Sequence, residues 1–425
     1  RDVERSRGLG DVYKRQAEAK FFRAICYFEL TTLWGTPPLV DRVLKNSEEY
    51  KVPNSTAEQL WKFMETDLTE AITSGKLTSK TSLEDRDGGT RATLEAARCL
   101  LGKIYLYQEK YTDAKSELEK VISSGKYDLI ADVSTFYHPA SAGCKEYVLE
   151  CVRHYDPSNM YSQEGWFGIL ANWGFGYGFI AGPEASMHYK FNTTSGYSYF
   201  NPSKSLYDAF VAEEGADGYR LNAWIRTWEQ VIAMNIAVNT TTNKYASEGY
   251  FRLKWLASTD DEFVGYWCGN QSNTPVIRYA DVLLMAAEAC LQAGDQAGAD
   301  EYLGRVRDRA RLPRKSHVTL SDIKLERRLE LAMEGMRFQD LKRWGDAPAV
   351  LADKGKKLPT FQIVPDPNND LTTAAGIYNA RYTTKTTYVD NEKSLAGWTP
   401  NRDEWLPFPE NELEVNSNLK QNPGY

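Results

Sequence analysis

The stretch Gly165-Trp-Phe-Gly-Ile-Leu-Ala-Asn-Trp-Gly-Phe-Gly-Tyr-Gly-Phe179 places six aromatic side chains in fifteen residues, spaced by glycines. Sugar rings present flat C–H faces that stack on aromatic planes, while their hydroxyls need Asn, Gln, Asp or Arg partners. Trp166, Trp173 and Tyr177 are therefore the first candidates for stacking platforms, with Phe175 beside them and Asn172 as a hydroxyl partner. Trp224, Trp228, Trp255 and Trp267 are weaker candidates, and Trp34 closes a helix. The competing reading puts such rings in a core beneath the loop. Two or three platforms at ~1 kcal/mol each, added to hydroxyl hydrogen bonds, give roughly −4 to −7 kcal/mol, an affinity between millimolar and ten micromolar.

A second group carries charge: Arg278, Glu288, Glu326, Arg327, Arg328, Glu330, Glu334, Arg337, Asp340 and Arg343. Paired carboxylates beside arginines could do acid/base work on a glycosidic bond. Opposite charges recurring at helical spacing more often neutralise one another and lock helices together, and that reading is preferred here. No catalytic residue is assigned. The four histidines (His138, His154, His188, His317) are isolated and lack zinc spacing. Asp366-Pro-Asn-Asn-Asp370 opens like a calcium loop, but its sixth position is Leu371 and its twelfth Ile377, where Gly and Glu are needed. Gly174-Phe-Gly-Tyr-Gly178 lacks the dinucleotide spacing. No metal and no cofactor is expected.

The elements that must position these groups are helical. Ala17–Leu30 is apolar nearly all round, predicting a buried helix that Gly35 and Pro37-Pro38 terminate. Ser55-Thr-Ala-Glu58 predicts a capping box for a helix running to about Gly75. An internal repeat follows. Ala97, Leu100, Leu101 and Ile104, then Ala114, Leu118 and Val121, recur as Ala286, Ala287, Cys290 and Leu291, then Ala299, Leu303 and Val306. This is tetratricopeptide-like helix–turn–helix logic, each pair covering its neighbour's apolar face. From about 127 to 270 the helical period fades into Gly, Asn, Ser, Thr and aromatics, with short helices such as Ser205–Val211. Thr319-Leu-Ser-Asp322 predicts another capping box, opening a helix that ends at Trp344-Gly345, and 346–425 reads as a Pro- and Asn-rich tail with few regular elements.

The 425 residues suffice for a large core, and a net charge of −7 argues against a general nucleic-acid binder. No apolar run approaches the length of a membrane-spanning helix. Cys26, Cys99 and Cys290 lie in apolar helical patterns and read as small core residues; pairing among Cys144, Cys151 and Cys268 stays open. Residues 1–16 are arginine-rich and aperiodic, and Asp11–Gln16 matches the translation of a common sequencing-library transposon end. They are expected to be a non-native artefact joined to a truncated gene.

Several segments in order carry a resemblance. They are Ala17–Ala24 with Leu33–Leu39, Arg91–Tyr107 with Tyr111–Val121, Asn201–Phe210 with Asp217–Arg220, Asn273–Ala289, Glu326–Gly345, and Trp405–Glu410 with Gln421–Tyr425. Together they resemble the SusD/RagB family of nutrient-capturing lipoproteins on the outer surface of Bacteroidota-type bacteria. The resemblance implies a mainly α fold, in which tetratricopeptide-like helix pairs carry a long irregular, loop-rich, ligand-facing insertion. It also implies glycan binding without turnover, and a SusC-like TonB-dependent transporter as partner. A lipid anchor on the outward face of the outer membrane is implied by the likeness alone, because the lipobox cysteine and the family's first helix are missing here. The expected division is 17–126 helical repeat, 127–270 aromatic insertion, and 271–425 helical part and tail, with 17–425 one compact unit. Two rival readings are a peptide-binding repeat scaffold, which has no need of the aromatic insertion, and a glycoside hydrolase.

Overall fold

The computed structural model describes residues 2–152, 201–233, 244–245, 248–254, 273–370, 372–373, 376, 381–393 and 395–425. Helices dominate. α1 (Asp2–Trp34) and α2 (Ala57–Thr73) form the first antiparallel pair, and Phe21, Ala24, Tyr27 and Phe28 meet Leu60, Met64 and Leu68 between them. Arg23 clamps Asp67 across the pair with two hydrogen bonds of 2.7 Å. α1 stops at Gly35, whose φ of +76° favours glycine, and a Cβ there would stand 2.9 Å from the Trp405 ring.

Four expectations are corrected here. The helix already runs through 2–16, because a helix held by packing at 17–34 extends at about one hydrogen bond per residue fixed. Nor is α1 buried all round: Phe22, Cys26 and Leu30, four residues apart, form an exposed stripe. Cys26 is thus a surface thiol rather than a core residue. The capping box belongs to Thr56 and Gln59, not Ser55 and Glu58, because the Thr56 hydroxyl accepts from the Gln59 amide while the Gln59 side chain accepts from the Thr56 amide. Ser55 instead accepts from the Leu39 amide.

The internal repeat is present as two helix pairs. α3 (Leu94–Tyr107) packs on α4 (Tyr111–Ile122), and α8 (Tyr279–Gln292) packs on α9 (Gln296–Arg309), with α4 against α8. Every repeat residue named above is buried except Leu291, which is half-buried. Close approach depends on small residues on both helices of a pair. A Cβ on Gly102 would meet Leu118 at 2.7 Å, and one on Gly298 would meet the Cys290 sulfur at 2.8 Å. One continuous core runs from α1 to α10 (Leu320–Glu330).

The described parts of 127–270 join irregular chain to short regular elements. β1 (Tyr147–Cys151) pairs antiparallel with β5 (Thr274–Arg278), setting Tyr147 opposite Arg278. α5 (Lys204–Glu214), capped by the Ser203 hydroxyl, and α6 (Tyr219–Trp224) enclose a second core of Phe136, Tyr137, Tyr147, Phe210, Leu221, Trp224 and Leu329. β2 (Ile225–Thr227) leads into α7 (Trp228–Ala233) and pairs with β4 (Tyr250–Arg252).

The helix predicted across 319–345 is broken. The Thr319–Asp322 capping box stands, but α10 ends at Glu330 and α11 (Arg337–Arg343) begins after a turn in which Met333 and Gly335 have φ of +64° and +82°. The tail is also more regular than expected. β6 (Lys357–Pro365) and β7 (Tyr382–Asp390) form a nine-pair antiparallel hairpin, and β3 (Lys244–Tyr245) adds to β6. The chain end is strapped back onto α1, where the Asn422 side-chain amide donates to the Trp34 and Leu406 carbonyls.

All five described cysteines are free thiols. Thiol labelling of native protein is expected to modify Cys26 and Cys151 rapidly and to spare Cys99 and Cys290 until denaturant is added, which peptide mapping reads directly. Burial pushes the Cys144 thiol up to about 11, slowing it as well.

Candidate functional site

The turn that breaks the predicted helix lies in a buried cluster of charged side chains, the densest among the described residues. Because the chain leaves helical geometry after Glu330, Glu334 swings back toward β5 instead of continuing along one face. Arg278, brought in by the β1–β5 register, reaches both Glu334 oxygens at 2.9 and 2.7 Å, Glu146 at 2.5 Å and Glu330 at 3.1 Å. Arg220 from α6 binds Glu214 at 2.7 Å, Glu326 at 2.5 Å and Glu330 at 3.1 Å. Arg309 binds Glu146 and Glu330, Arg307 binds Glu213 and Glu326, and Lys254 reaches Glu334 at 2.6 Å over the Trp224 ring.

A companion cluster joins the repeat to α11. Arg327 bridges Asp281 and Asp340 at 2.7 and 3.0 Å, while Arg343 holds Glu288 by two bonds of 2.5 and 2.7 Å and Asp340 at 2.9 Å. Burial pushes the Glu330 carboxyl up, but Arg309, Arg278 and Arg220 overcome it and hold it well below the usual carboxylate range. Glu334, Asp281 and Asp340 are likewise depressed against burial by their cationic neighbours.

A carboxylate held ionised by buried cations has no proton to donate, and its charge is matched by fixed partners, so this cluster is built to hold elements together. Of the ten charged residues singled out in the sequence, Arg328 and Arg337 stand outside it. Arg328 donates to the carbonyl and hydroxyl of Ser205, and Arg337 has no ion pair among the described residues. Glu146, Glu213, Glu214, Arg220, Lys254, Asp281, Arg307 and Arg309 were missed. Their partners lie on other elements, and the sequence signal available was the recurrence of arginines beside apolar Val306 and Leu221.

Trp166, Asn172, Trp173, Phe175 and Tyr177 lie outside the described residues, as do Trp255 and Trp267. Two weaker candidates are excluded as platforms. Trp224 is sealed against Phe210 with its indole N–H donating to the Val133 carbonyl, and Trp228 is buried face to face with Phe361, centroids 5.3 Å apart. Trp34 is structural, as expected: its indole donates to the Pro407 carbonyl at 3.0 Å. Other tyrosines reach the surface in part. Tyr207 and Tyr250 stack at 4.6 Å, and the Tyr388 phenol donates to Glu248 at 2.7 Å, a bond that pushes the phenol up to about 12.

This arrangement, a helical frame locked by buried charge under a partly β, aromatic-bearing half, can be set beside known proteins. The profile of the SusD family matches residues 145–425, more than half the chain. The chain belongs to the SusD family. A second profile, described as "Starch-binding associating with outer membrane", matches residues 3–106. A SusD-like protein of Bacteroides ovatus is 25% identical over 441 residues, covering 96% of this chain and 74% of its own length. A laminarin-binding SusD-like protein of known structure is 26% identical, with a TM-score of 0.73, covering 98% of this chain and 80% of that one. Surface glycan-binding protein A from Bacteroides thetaiotaomicron, solved with laminarihexaose, shares the fold at 24% identity and a TM-score of 0.72, covering 97% and 79%. The six segments that carried the resemblance in the sequence are, in this SusD-family fold, the parts that close α1, build the repeat pairs and supply the buried charge.

Proposed function

We propose that this SusD-family chain captures glycan at the bacterial surface and holds it non-covalently for a TonB-dependent transporter in the outer membrane. The observation that carries the reading is the match over nearly the whole chain to the laminarin-binding SusD-like protein. The commitment of the buried carboxylates around Glu330 to cations supports binding over hydrolysis. Stacking on Trp166, Trp173, Phe175 and Tyr177, with Asn172 as hydroxyl partner, is part of this proposal. Lipid anchoring on the outward face is too, resting on family membership.

Purified protein incubated with labelled oligosaccharides should retain them without new reducing ends, and Trp166→Ala and Trp173→Ala should each weaken retention about fivefold, the equivalent of ~1 kcal/mol per ring. New reducing ends would make the protein a hydrolase. Unchanged retention in both variants would remove those rings from the site.

A further inference from the structure

We infer that Tyr207, Tyr250 and Tyr388 form a carbohydrate-stacking platform on the described surface, separate from the aromatic run at 165–179. This inference rests on the glycan-binding reading and locates a contact for it. The three rings come from three elements, α5, β4 and β7. Tyr207 and Tyr250 stack at 4.6 Å with planes 28° apart, and both remain half-buried rather than sealed. Tyr388 is 49% exposed.

Glu248 ties the elements together. One of its oxygens accepts from the Tyr388 phenol at 2.7 Å and the other from the Lys204 backbone amide at 2.6 Å. Beneath, Gly249 takes a φ of +88° and lies so close to Phe361 that a Cβ would stand 2.5 Å from its ring. This pins the start of β4, and with it Tyr250, over the sealed Trp228–Phe361 pair. At the rim, Lys204 and Asp208 form an exposed i,i+4 ion pair at 2.6 Å, offering donor and acceptor side by side.

Tyr388 offers an exposed ring and the half-buried Tyr207–Tyr250 stack, seated on the second core, its solvent-accessible part; beside an exposed carboxylate–ammonium pair these match the alternation of C–H face and hydroxyl edge on a pyranose. An anchoring role for the Tyr388–Glu248 bond would need the phenol oxygen. A stacking role needs only the ring.

Affinity gel electrophoresis in laminarin, starch, xylan and mannan tests the platform on the parent, Tyr388→Ala, Tyr388→Phe and Asp208→Ala proteins, each checked by thermal melting. In a gel that retards the parent, Tyr388→Ala should weaken the apparent affinity about fivefold, Asp208→Ala should weaken it as well, and Tyr388→Phe, which keeps the ring but loses the bond to Glu248, should weaken it less than Tyr388→Ala. Parent-like retardation of folded Tyr388→Ala and Asp208→Ala overturns the platform while leaving the glycan-binding reading intact. A parent retarded in none of the gels overturns both. Should Tyr388→Ala melt early, Asp208→Ala, exposed on α5 and away from the hairpin, decides alone.

Discussion

Glu330→Gln is expected to destabilise the fold by about 3–5 kcal/mol, the cost of breaking a buried ion pair by removing one partner. Glutamine keeps the volume but removes the negative charge that Arg220, Arg278 and Arg309 share. Those guanidiniums are at most 4% exposed and have no solvent to turn to. Glu146, Glu214, Glu326 and Glu334 remain as partners, but the point where the three guanidiniums converge would hold a neutral amide in place of the carboxylate they share. Glu334→Ala should act in the same direction, uncovering Lys254 and one side of Arg278. Thermal or urea unfolding measures both variants, and glycan retention below their melting temperatures should stay near the parent value. An unchanged melting temperature with lost binding in Glu334→Ala would place that carboxylate in the ligand site and contradict the structural role given to it here. A third substitution probes the logic further. Replacing Arg278 with Met should be as costly as Glu330→Gln, since Glu146, Glu330 and Glu334 each lose a buried cation at once and keep only Arg309, Arg220 and Lys254 among them.

How much of this was legible before the structure depends on how far apart the interacting residues lie in the chain. The helix pairs were readable because their apolar residues repeat within one element, and Ala97, Leu101, Ala286 and Cys290 are all buried where the spacing put them. The break after Glu330 was not, since Glu326, Glu330, Glu334 and Arg337 continue a helical charge pattern straight through it. Gly335 was the local signal: a glycine at positive φ ends helices, and here it frees Glu334 to face β5. The β6–β7 hairpin was hidden for a related reason. Pro359 and Pro365 argue against strand in β6, yet β7 alone, Tyr-Thr-Thr-Lys-Thr-Thr-Tyr-Val, has the β-branched and aromatic composition of a strand. Partners such as Arg220 with Glu326, more than a hundred residues apart, become visible only in three dimensions. On the candidate site, the sequence pointed to a glycine-spaced aromatic run, whereas the tyrosines of α5, β4 and β7 share no local pattern and are joined by the Tyr207–Tyr250 stack and by the bonds of Glu248 to Tyr388 and the Lys204 amide.

The same buried charge dictates how the protein should respond to acid. Glu330, Glu334, Asp281 and Asp340 all have folded-state carboxyls held below their ordinary values by neighbouring arginines and lysines, despite burial that pushes the other way. In the unfolded chain these groups titrate near their ordinary values of about 4. As pH falls through that region the unfolded chain takes up protons that the native state refuses, so stability drops with falling pH and is lost fully only below the folded values. Above about pH 5 the contribution is complete and flat, and each unit of depression is worth ~1.4 kcal/mol per carboxylate. Urea midpoints measured from pH 7 down to pH 3 should therefore hold steady to about pH 5 and then fall steeply. Glu330→Gln, lower throughout, should show a shallower fall because one of the depressed groups no longer titrates. A parent midpoint that instead rose as pH fell would mean that these carboxylates are already protonated in the native interior. The charge-locked frame would then have to be held by hydrogen bonds between neutral acids and arginines, a far weaker support for β5 and α6, which supply Arg278 and Arg220.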